Sequence, residues 1–417
     1  MSTLIFFILM GSVRSATTYV YVGAGGCDDD DPSCSEPEGT DLITTCVLGD
    51  DGGLRVANST AGIAQPTWLL HHPTRSMLYA TETGGSSIWS LRVHDRNSDD
   101  TDTVPSLEIV NHQDVGEAPV HLSFDVTGSF VFSANYMGGS LSALPIESDG
   151  SLGPACSTVS HVGDLGPNQV RQDAPHVHGT FTASAPGMNG TTLVYAMDLG
   201  QDRVSWYLFD PTTRALTNGS ATNFVQTAPG SGPRHMVLTE GNQYGTAAHV
   251  ITEMGSTIET WAVDALTGAL IERKSTVSTL PASQVVTLEG NDTAAPHLFS
   301  SSPSPTPELL NKAAEIAVSS NGKFIYASNR GFAAGSNSLV VYSVDISTGA
   351  LSPIQFIASD GTFPRGVALV TVQGMTKLLV GGQDTNSVAT FAVDEATGLL
   401  TEEGALFGIV TPVAFAY

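Results

Sequence analysis

The sequence predicts an all-β protein, a seven-bladed β-propeller of four-stranded antiparallel blades. Short β-rich segments that end in a small or polar pair recur seven times, about 50 to 75 residues apart. A second strand follows each of the later segments, and an Asp-x-x-Thr-Gly-x-Leu turn closes three of these hairpins. With 43 Gly, 22 Pro and only 4 Lys, the composition offers little material for surface helices.

Each repeat contains about four strands. Before each core segment stands another strand, often one that opens with Pro, as in PVHLSFDVTGSFVF, PRHMVLTEGNQYG and AAEIAVSSNGKFIY. Seven four-stranded units of this size are typical of a propeller, in which radial repetition leaves only short, protected edges. The segments YVYVG and IVTPVAFAY at the two ends of the chain are expected to share one blade and close the ring.

The expected domain organisation is one propeller over residues 17–417. Residues 280–307 are rich in Ser, Thr and Pro without strand alternation, so we expect a long loop between blades there. The acidic residues 28–38 form a second expected loop, tied by a disulfide. The four cysteines could pair as one local and one longer bridge, or remain free and buried: Cys27, Cys34, Cys46 and Cys156.

Residues 1–16 predict a secretory signal peptide. Leu4 to Met10 form an apolar run, and Ser15 and Ala16 are small residues suited to a cleavage site. The alternative is a buried strand, because the basic region typical of such peptides is missing, and the protein would then be cytoplasmic. Four sequons fit a secreted glycoprotein, those at Asn58, Asn189, Asn218 and Asn291.

The charge of the chain bears on its partners. The formal net charge is -25, so nucleic acids and anionic membrane surfaces would be repelled, and no apolar stretch is long enough to span a bilayer. We expect a monomer that binds a small molecule. Against this acidic background a local concentration of Arg would indicate a site for an anion.

The polar residues are expected to converge at one mouth of the central channel. In an antiparallel hairpin, the start of the first strand and the end of the second lie at the same end. The residues predicted to bind substrate there are His176, His235, Glu315, Arg365, Asn135, Asp198 and Gln383. The alternative is that polar strand ends only satisfy backbone groups and one another, above all at Asn135 and Asp198.

Three of the twelve Arg of the chain fall in this ring, namely Arg234, Arg330 and Arg365. Arg forks bind carboxylate or phosphate at two points, and a neighbouring His or Glu could then act as general acid or base. No metal is expected, because these Arg would repel a cation, and no cofactor is expected. The sequence has neither a Gly-x-Ser-x-Gly elbow nor a Walker-type phosphate loop.

At these residues the sequence resembles the seven-bladed propeller lactonase family, which holds 6-phosphogluconolactonases and carboxy-cis,cis-muconate cyclases. Seven motifs in this order carry the resemblance: HPTRSMLYATE, SANYMGGSLSALPI, APHVHG, AMDLGQDRVSWYLFD, GSGPRHMVL, AAEIAVSSNGKFIYASNRG and GGQDTNSVATFAVD. The resemblance implies catalytic roles for His178, Arg234, Glu253 and Arg330, without a required metal.

The resemblance favours lactone hydrolysis, because SGPRH, AAEI and DLGQDR are more similar to the phosphogluconolactonase branch. Two alternatives stay open, a lactonising isomerase of the muconate type and a propeller that binds a ligand without catalysis. A signal peptide would separate the protein from intracellular sugar phosphates. A secreted enzyme would then act on another lactone.

Overall fold

A computed structural model describes residues 18–26, 40–49, 51–94, 104–188, 190–218, 222–239, 247–284, 311–331 and 336–417. Over these ranges the chain is all β, and its helical content is one short 3₁₀ turn at Ala282–Gln284. No helix in this part of the chain is long and apolar enough to cross a membrane. The predicted signal peptide, the acidic loop and most of the loop at 280–307 lie outside the described residues.

The strands form seven antiparallel sheets, each of which is one blade. Blade 1 begins with β1 (Thr18–Ala24), β2 (Leu42–Leu48) and β3 (Leu54–Ala61). Blade 2 contains β4 (Leu69–His71), β5 (Met77–Thr81), β6 (Ser87–His94) and β7 (Ser106–Asp114). Blade 3 contains β8 (Pro119–Phe124), β9 (Phe130–Asn135), β10 (Ser140–Pro145) and β11 (Ser157–Ser160). In blade 4 the strands are β12 (Val177–Ser184), β13 (Thr192–Asp198), β14 (Arg203–Asp210), β15 (Ala215–Thr217) and β16 (Phe224–Gln226).

The remaining blades repeat the same plan. Blade 5 contains β17 (Pro233–Thr239), β18 (Ala247–Thr252), β19 (Thr257–Val263) and β20 (Leu270–Ser278). Blade 6 contains β21 (Asn311–Val318), β22 (Phe324–Gly331), β23 (Ser338–Val344) and β24 (Leu351–Ala358). Blade 7 contains β25 (Pro364–Val372), β26 (Met375–Gly382), β27 (Ser387–Val393) and β28 (Leu400–Phe407), and β29 (Pro412–Ala416) then returns to blade 1.

The ring closes as the sequence predicts, because β29 pairs with β1 and gives blade 1 its fourth strand. The innermost strands contact one another in the order β4, β8, β12, β17, β21, β25 and β29, and β29 contacts β4. The hydrophobic core lies between adjacent blades: Ile251 and Ile258 of blade 5 pack with Ile325 and Val340 of blade 6. Apolar packing between blades therefore holds the inner strands around the channel.

The repeated turns behave as the sequence predicts. Gly268, Gly349 and Gly398 have φ values of +72°, +75° and +76°. Each of these glycines donates a backbone hydrogen bond to the carbonyl of the Asp four residues earlier. Glycine suits these positions because the left-handed region is costly for other residues.

Six inner strands contain a shift in pairing register near their first residue. In blade 3, Pro119 pairs with Asn135 and His121 pairs with Ala134, so Val120 lies between two pairs without a partner of its own. Equivalent shifts leave one residue without a partner at His178, Arg234, Arg365 and Val413, and two residues at Ala314–Glu315. A β-bulge of this kind re-aims a side chain, and such bulges are frequent next to active sites.

Glycines on the inner strands allow the backbones of neighbouring blades to lie close together. A methyl group at Gly366 would lie 2.2 Å from the carbonyl oxygen and 2.6 Å from the carbonyl carbon of Val413, in the neighbouring inner strand. The backbone of Val413 belongs to β29, so this contact lies at the closure of the ring. A side chain at Gly366 would therefore push blades 7 and 1 apart.

Gly366→Ala is expected to lower the free energy of unfolding by about 3 kcal/mol, at the upper end of overpacking costs, since the contacted atoms are backbone. Thermal unfolding measures this loss. The matched control is Gly374→Ala, where no atom lies within 4 Å of an added methyl group and only a φ of +81° opposes the change. That control should cost about 1 kcal/mol. Equal unfolding temperatures for the two variants would contradict the interpretation.

The expected disulfides are not supported by the structure. Cys46 is a buried free thiol on β2, and Cys156 is a half-buried free thiol. Burial raises the pKa of the Cys46 thiol to about 12, so the thiol stays protonated and unreactive. Neither of the two described cysteines is in a disulfide, which agrees with the alternative of free thiols, while Cys27 and Cys34 lie outside the described residues.

Candidate active site

The polar residues meet at one end of the channel for the reason that the strand order predicts. Paired residues at this end include Pro119 with Asn135, Val177 with Asp198, and Ala313 with Asn329. The starts of the inner strands therefore lie beside the ends of the second strands in each blade. The bulged residues of the inner strands lie at the same level.

A cavity of about 270 Å³ occupies this mouth. Four of the predicted site residues line it: His178, Glu253, Arg330 and Arg365. Tyr136 and Arg171 also line the cavity, and the sequence analysis did not predict either of them. The cavity is large enough for a small lactone, and charged groups form much of its wall.

Glu253 is the centre of the cluster, and its side chain is 1% exposed. Oε1 accepts a hydrogen bond from Nη2 of Arg171 at 3.0 Å. Oε2 lies 3.2 Å from Nε of Arg234 and 3.1 Å from Nη2 of Arg330. Burial would raise the pKa of Glu253, but Arg171, Arg330, Lys312 and Arg234 together hold the pKa well below its usual value of 4.5. Glu253 is therefore a carboxylate that organises the arginines.

Arg234 is buried and joins the two acidic residues of the site. Its Nη1 donates to the carbonyl oxygen of Ala314 at 2.6 Å and lies 3.6 Å from Oε2 of Glu315. Burial lowers the pKa of Arg234 to about 10, with further lowering by Arg330 and opposition from Glu315 and Glu253. The guanidinium therefore stays charged at neutral pH. Its position places a fixed positive charge behind the cavity wall.

His178 lines the cavity beside Glu253. Its Nε2 lies 3.8 Å from Oε2 of Glu253, and its buried Nδ1 has no hydrogen-bond partner among the described protein atoms. Burial first, and then the charges of Arg234 and other neighbours, lower the pKa of His178 well below 6.5. The imidazole is therefore neutral at pH 7 and can accept a proton.

His235 and Glu315 lie deeper, where they line a second space of about 290 Å³ within the channel. Nδ1 of His235 lies 2.8 Å from Oε1 of Glu315, and the His235 ring contacts Trp68 and His121 edge to face. Burial lowers the pKa of His235 and raises that of Glu315. This pair separates the charged cavity from an aromatic part of the channel.

The structure does not bring every predicted binding residue to the cavity wall. The Asn135 amide donates to Val115, Ser140 and Ser142 within blade 3. Gln383 donates from Nε2 to the carbonyl oxygen of Gly26, which itself lines the cavity. Asn135 and Gln383 therefore form hydrogen bonds within the protein, which is the alternative to substrate binding given in the sequence analysis.

Asp198 and His176 support the site from behind. The Asp198 carboxylate accepts from the His176 backbone amide at 2.9 Å and lies 2.7 Å from Nδ1 of His161. The His176 ring stacks on Tyr136 with 4.4 Å between centroids. Tyr136 is turned edge-on to His178 at 5.4 Å. His176 therefore positions Tyr136, and Tyr136 packs against the neutral base.

A pattern in the sequence could have identified Tyr136 but not Arg171. Tyr136 follows Asn135 as Arg330 follows Asn329, so the two residues hold equivalent places in their blades. Arg171 lies in the irregular segment between β11 and β12, outside the repeat. Its position depends on contacts that only the folded chain provides.

The turn between β13 and β14 anchors these contacts. The Asp202 carboxylate accepts from the backbone amides of Gly230 and Gly232, just before Arg234. Gln172, which follows Arg171 in the sequence, donates to the carbonyl oxygen of Leu199 and accepts from the backbone amide of Asn168. One turn of blade 4 thus fixes the segments on both sides that carry Arg171 and Arg234.

In the part of the chain that the structure describes, no three His, Cys, Asp or Glu side chains come together as a metal site. Glu253, the acid in the lining of the cavity among the described residues, is engaged with arginines. The site can hold an anion, polarise a carbonyl and move a proton through side chains of the chain itself.

Known proteins share this architecture. The family model described as "Lactonase, 7-bladed beta-propeller" matches residues 32–416. The 6-phosphogluconolactonase of Bacillus subtilis (strain 168) is 28% identical over 362 residues, which cover 86% of this chain and 88% of the relative. A 6-phosphogluconolactonase of Formosa agariphila is 26% identical over 295 residues, which cover 70% and 72% of the two chains.

The solved structure of the periplasmic gluconolactonase of Pseudomonas aeruginosa has the same fold. Its TM-score is 0.73 at 24% identity, and the match covers 96% of this chain and 99% of that chain. The family match spans nearly all of the sequence and confirms the resemblance found in the motifs. The chain belongs to the seven-bladed β-propeller lactonase family.

Proposed function

We propose that the protein hydrolyses a small, negatively charged or sugar-derived lactone by metal-independent acid/base catalysis in the 270 Å³ cavity. One observation carries the proposal: a neutral His178, with its Nδ1 unpartnered among the described protein atoms, stands beside arginines that Glu253 holds in place. Family membership and relatives named 6-phosphogluconolactonase support lactone chemistry.

His178 is the general base in this proposal. Nδ1 takes a proton from water, and the water oxygen bonds to the lactone carbonyl carbon. The tetrahedral oxyanion lies near Arg330 and Arg365, which oppose its negative charge. The ring C–O bond then breaks, and the leaving ring oxygen takes the proton from His178, which gives a hydroxyl and a carboxylic acid that ionises.

Glu253 is a poor candidate for the base, although it lies in the same cluster. Three arginines contact its carboxylate and hold its pKa well below 4.5, so it accepts a proton reluctantly. Its charge does suit the imidazolium that His178 becomes during the reaction. We assign to Glu253 the roles of orienting the arginines and stabilising protonated His178.

The experiment that tests the proposal measures proton release by the purified protein with a panel of sugar lactones. A muconate-type diacid, followed by ultraviolet absorbance, runs alongside. Enzyme-dependent ring opening supports the hydrolase. Consumption of the diacid alone would establish a lactonising isomerase instead, and ligand binding without any product would establish a binding propeller.

The pH profile is a sharper test of the base. Because burial and arginine charges lower the pKa of His178 well below 6.5, the unprotonated form persists as the pH falls through 6.5. We therefore expect kcat/KM to stay level from pH 7.5 to below pH 6 and to decline only well under 6.5. An acid limb at or above pH 6.5 in the free-enzyme profile would contradict the assignment.

We also propose that residues 1–16 are a cleaved signal peptide, that residues 17–417 form one propeller domain, and that the protein acts outside the cytoplasm as a monomer. Asn58 and Asn218 support this proposal, because both asparagines are exposed, as glycan addition requires. N-terminal sequencing of the exported protein, with glycosidase treatment and light scattering, tests these statements.

A further inference from the structure

Among the cationic side chains of the cavity, Arg171 differs in origin. Arg234 and Arg365 start inner strands, and Arg330 lies at the end of a second strand. Arg171 instead comes from the segment between β11 and β12. Its side chain is 12% exposed, against 4% for those of Arg234 and Arg330. Among the three arginines that contact Glu253, Arg171 is therefore the most exposed to solvent.

The contacts of Arg171 also set it apart. Its Nη2 donates to Oε1 of Glu253 at 3.0 Å and lies 3.1 Å from the hydroxyl of Tyr136. Arg234 and Arg330 both approach Oε2, the other oxygen of the same carboxylate. The two oxygens of Glu253 thus contact different arginines: Oε2 contacts the inner pair, Arg234 and Arg330, and Oε1 contacts the outer Arg171.

The local charges favour an anionic ligand. Two carboxylates, those of Glu253 and Glu315, stand against the three arginines that contact Glu253 and against Arg365, which lines the same cavity. A bound anion would offset the excess positive charge. A guanidinium can bind a carboxylate or a phosphate through two parallel hydrogen bonds, which an ammonium cannot do.

We infer that Arg171 is a specificity-determining residue that binds the anionic group projecting from the lactone ring, while the ring itself opens at His178. This inference rests on the proposed lactone hydrolysis and adds the recognition of an exocyclic charge at the outer side of the cavity. The Tyr136 hydroxyl and Glu253 hold the guanidinium in place before the substrate arrives. Both a carboxylate and a phosphate fit this chemistry.

The test compares three lactones with the same ring, which carry a hydroxymethyl group, a carboxylate or a phosphate ester at the exocyclic carbon. For Arg171→Gln we expect kcat/KM on the two charged lactones to fall by about 10- to 100-fold, mainly through KM. The neutral lactone should change by less than about 3-fold, since the lost interaction is with the charge. Arg171→Lys should recover part of the loss.

The matched control is Arg75→Gln. Arg75 donates to the carbonyl oxygen of Glu147 and does not line the cavity, so its loss should leave all three rates unchanged. An equal fall on charged and neutral lactones in Arg171→Gln would indicate a structural role and overturn the inference. Unchanged selectivity would overturn it as well. A preference of the wild type for carboxylate or phosphate identifies the natural group.

A binding measurement separates this inference from the proposed function. Titration calorimetry with gluconate and 6-phosphogluconate, the ring-opened acids, needs no turnover. The wild type should bind the phosphorylated acid more tightly, and Arg171→Gln should lose that preference. If the wild type opens no lactone but its preference is lost in Arg171→Gln, the proposed function fails, and the role of Arg171 in binding the anionic group is still supported. Identical binding by wild type and variant overturns the inference alone.

Discussion

Replacing His178 with glutamine is expected to lower kcat for lactone opening by about 10²- to 10⁴-fold, the contribution typical of a positioned acid/base group. Glutamine fills similar space and can still face Glu253, but it cannot take a proton from water. KM should change little, because the arginines that bind the anion remain. Initial rates by pH-stat titration measure the loss.

The matched control for this variant is His249→Gln. His249 is as deeply buried as His178, but it lies between the hydroxyls of Thr239 and Thr260, within blade 5. Its replacement should leave kcat of the folded protein within about 2-fold of wild type, since no cavity contact changes. A His178→Gln protein that turns over at the wild-type rate would remove His178 from the mechanism.

Replacing Glu253 with glutamine is expected to destabilise the fold by about 3 to 5 kcal/mol, the range for one lost partner of a buried ion pair. Arg171, Arg234 and Arg330 would then surround a neutral amide and repel one another. Activity should fall as well, because the arginines lose their anchor and protonated His178 loses its counter-charge. Thermal unfolding and initial rates record the two effects.

The Glu253→Gln variant should also gain stability from a bound anion. Inorganic phosphate should raise the unfolding temperature of Glu253→Gln more than that of the wild type, because an anion can replace the missing charge. The matched control is Glu259→Gln, since Glu259 is equally buried but pairs with the single, partly exposed Arg273. Phosphate should have no comparable effect there. A Glu253→Gln protein as stable as wild type would contradict the role given to this carboxylate.

Much of the fold could be predicted because each blade repeats one pattern. The strand ends at Asn135, Asp198 and Asn329 mark the register that the structure shows, since each pairs with the start of its inner strand. The positive φ of the turn at Gly268 follows from the Thr-Gly step. Local chemistry decides these features, so the sequence alone is sufficient.

The site was less predictable, because hydrogen bonds to neighbouring groups decide which polar residues remain available to the cavity. Asn135 and Asp198 have the same polar character as Glu253, yet nearby hydroxyls, amides and His161 occupy them. Arg171 belongs to no repeat and reaches the cavity through the path of an irregular segment. The position of each polar residue within its blade could be inferred from the sequence. Which of these residues are already hydrogen-bonded to neighbours could not.

The displaced residue at the start of the inner strands has a consequence for how this protein could acquire new chemistry. Val120, His178, Arg234 and Arg365 hold matching places, but their side chains range from a small apolar one to a long cationic one. A residue outside the pairing ladder can be exchanged without changing the strand that carries it. Val120 already borders the cavity with an apolar side chain. This ring of interchangeable positions lets catalysis diversify while the architecture stays constant.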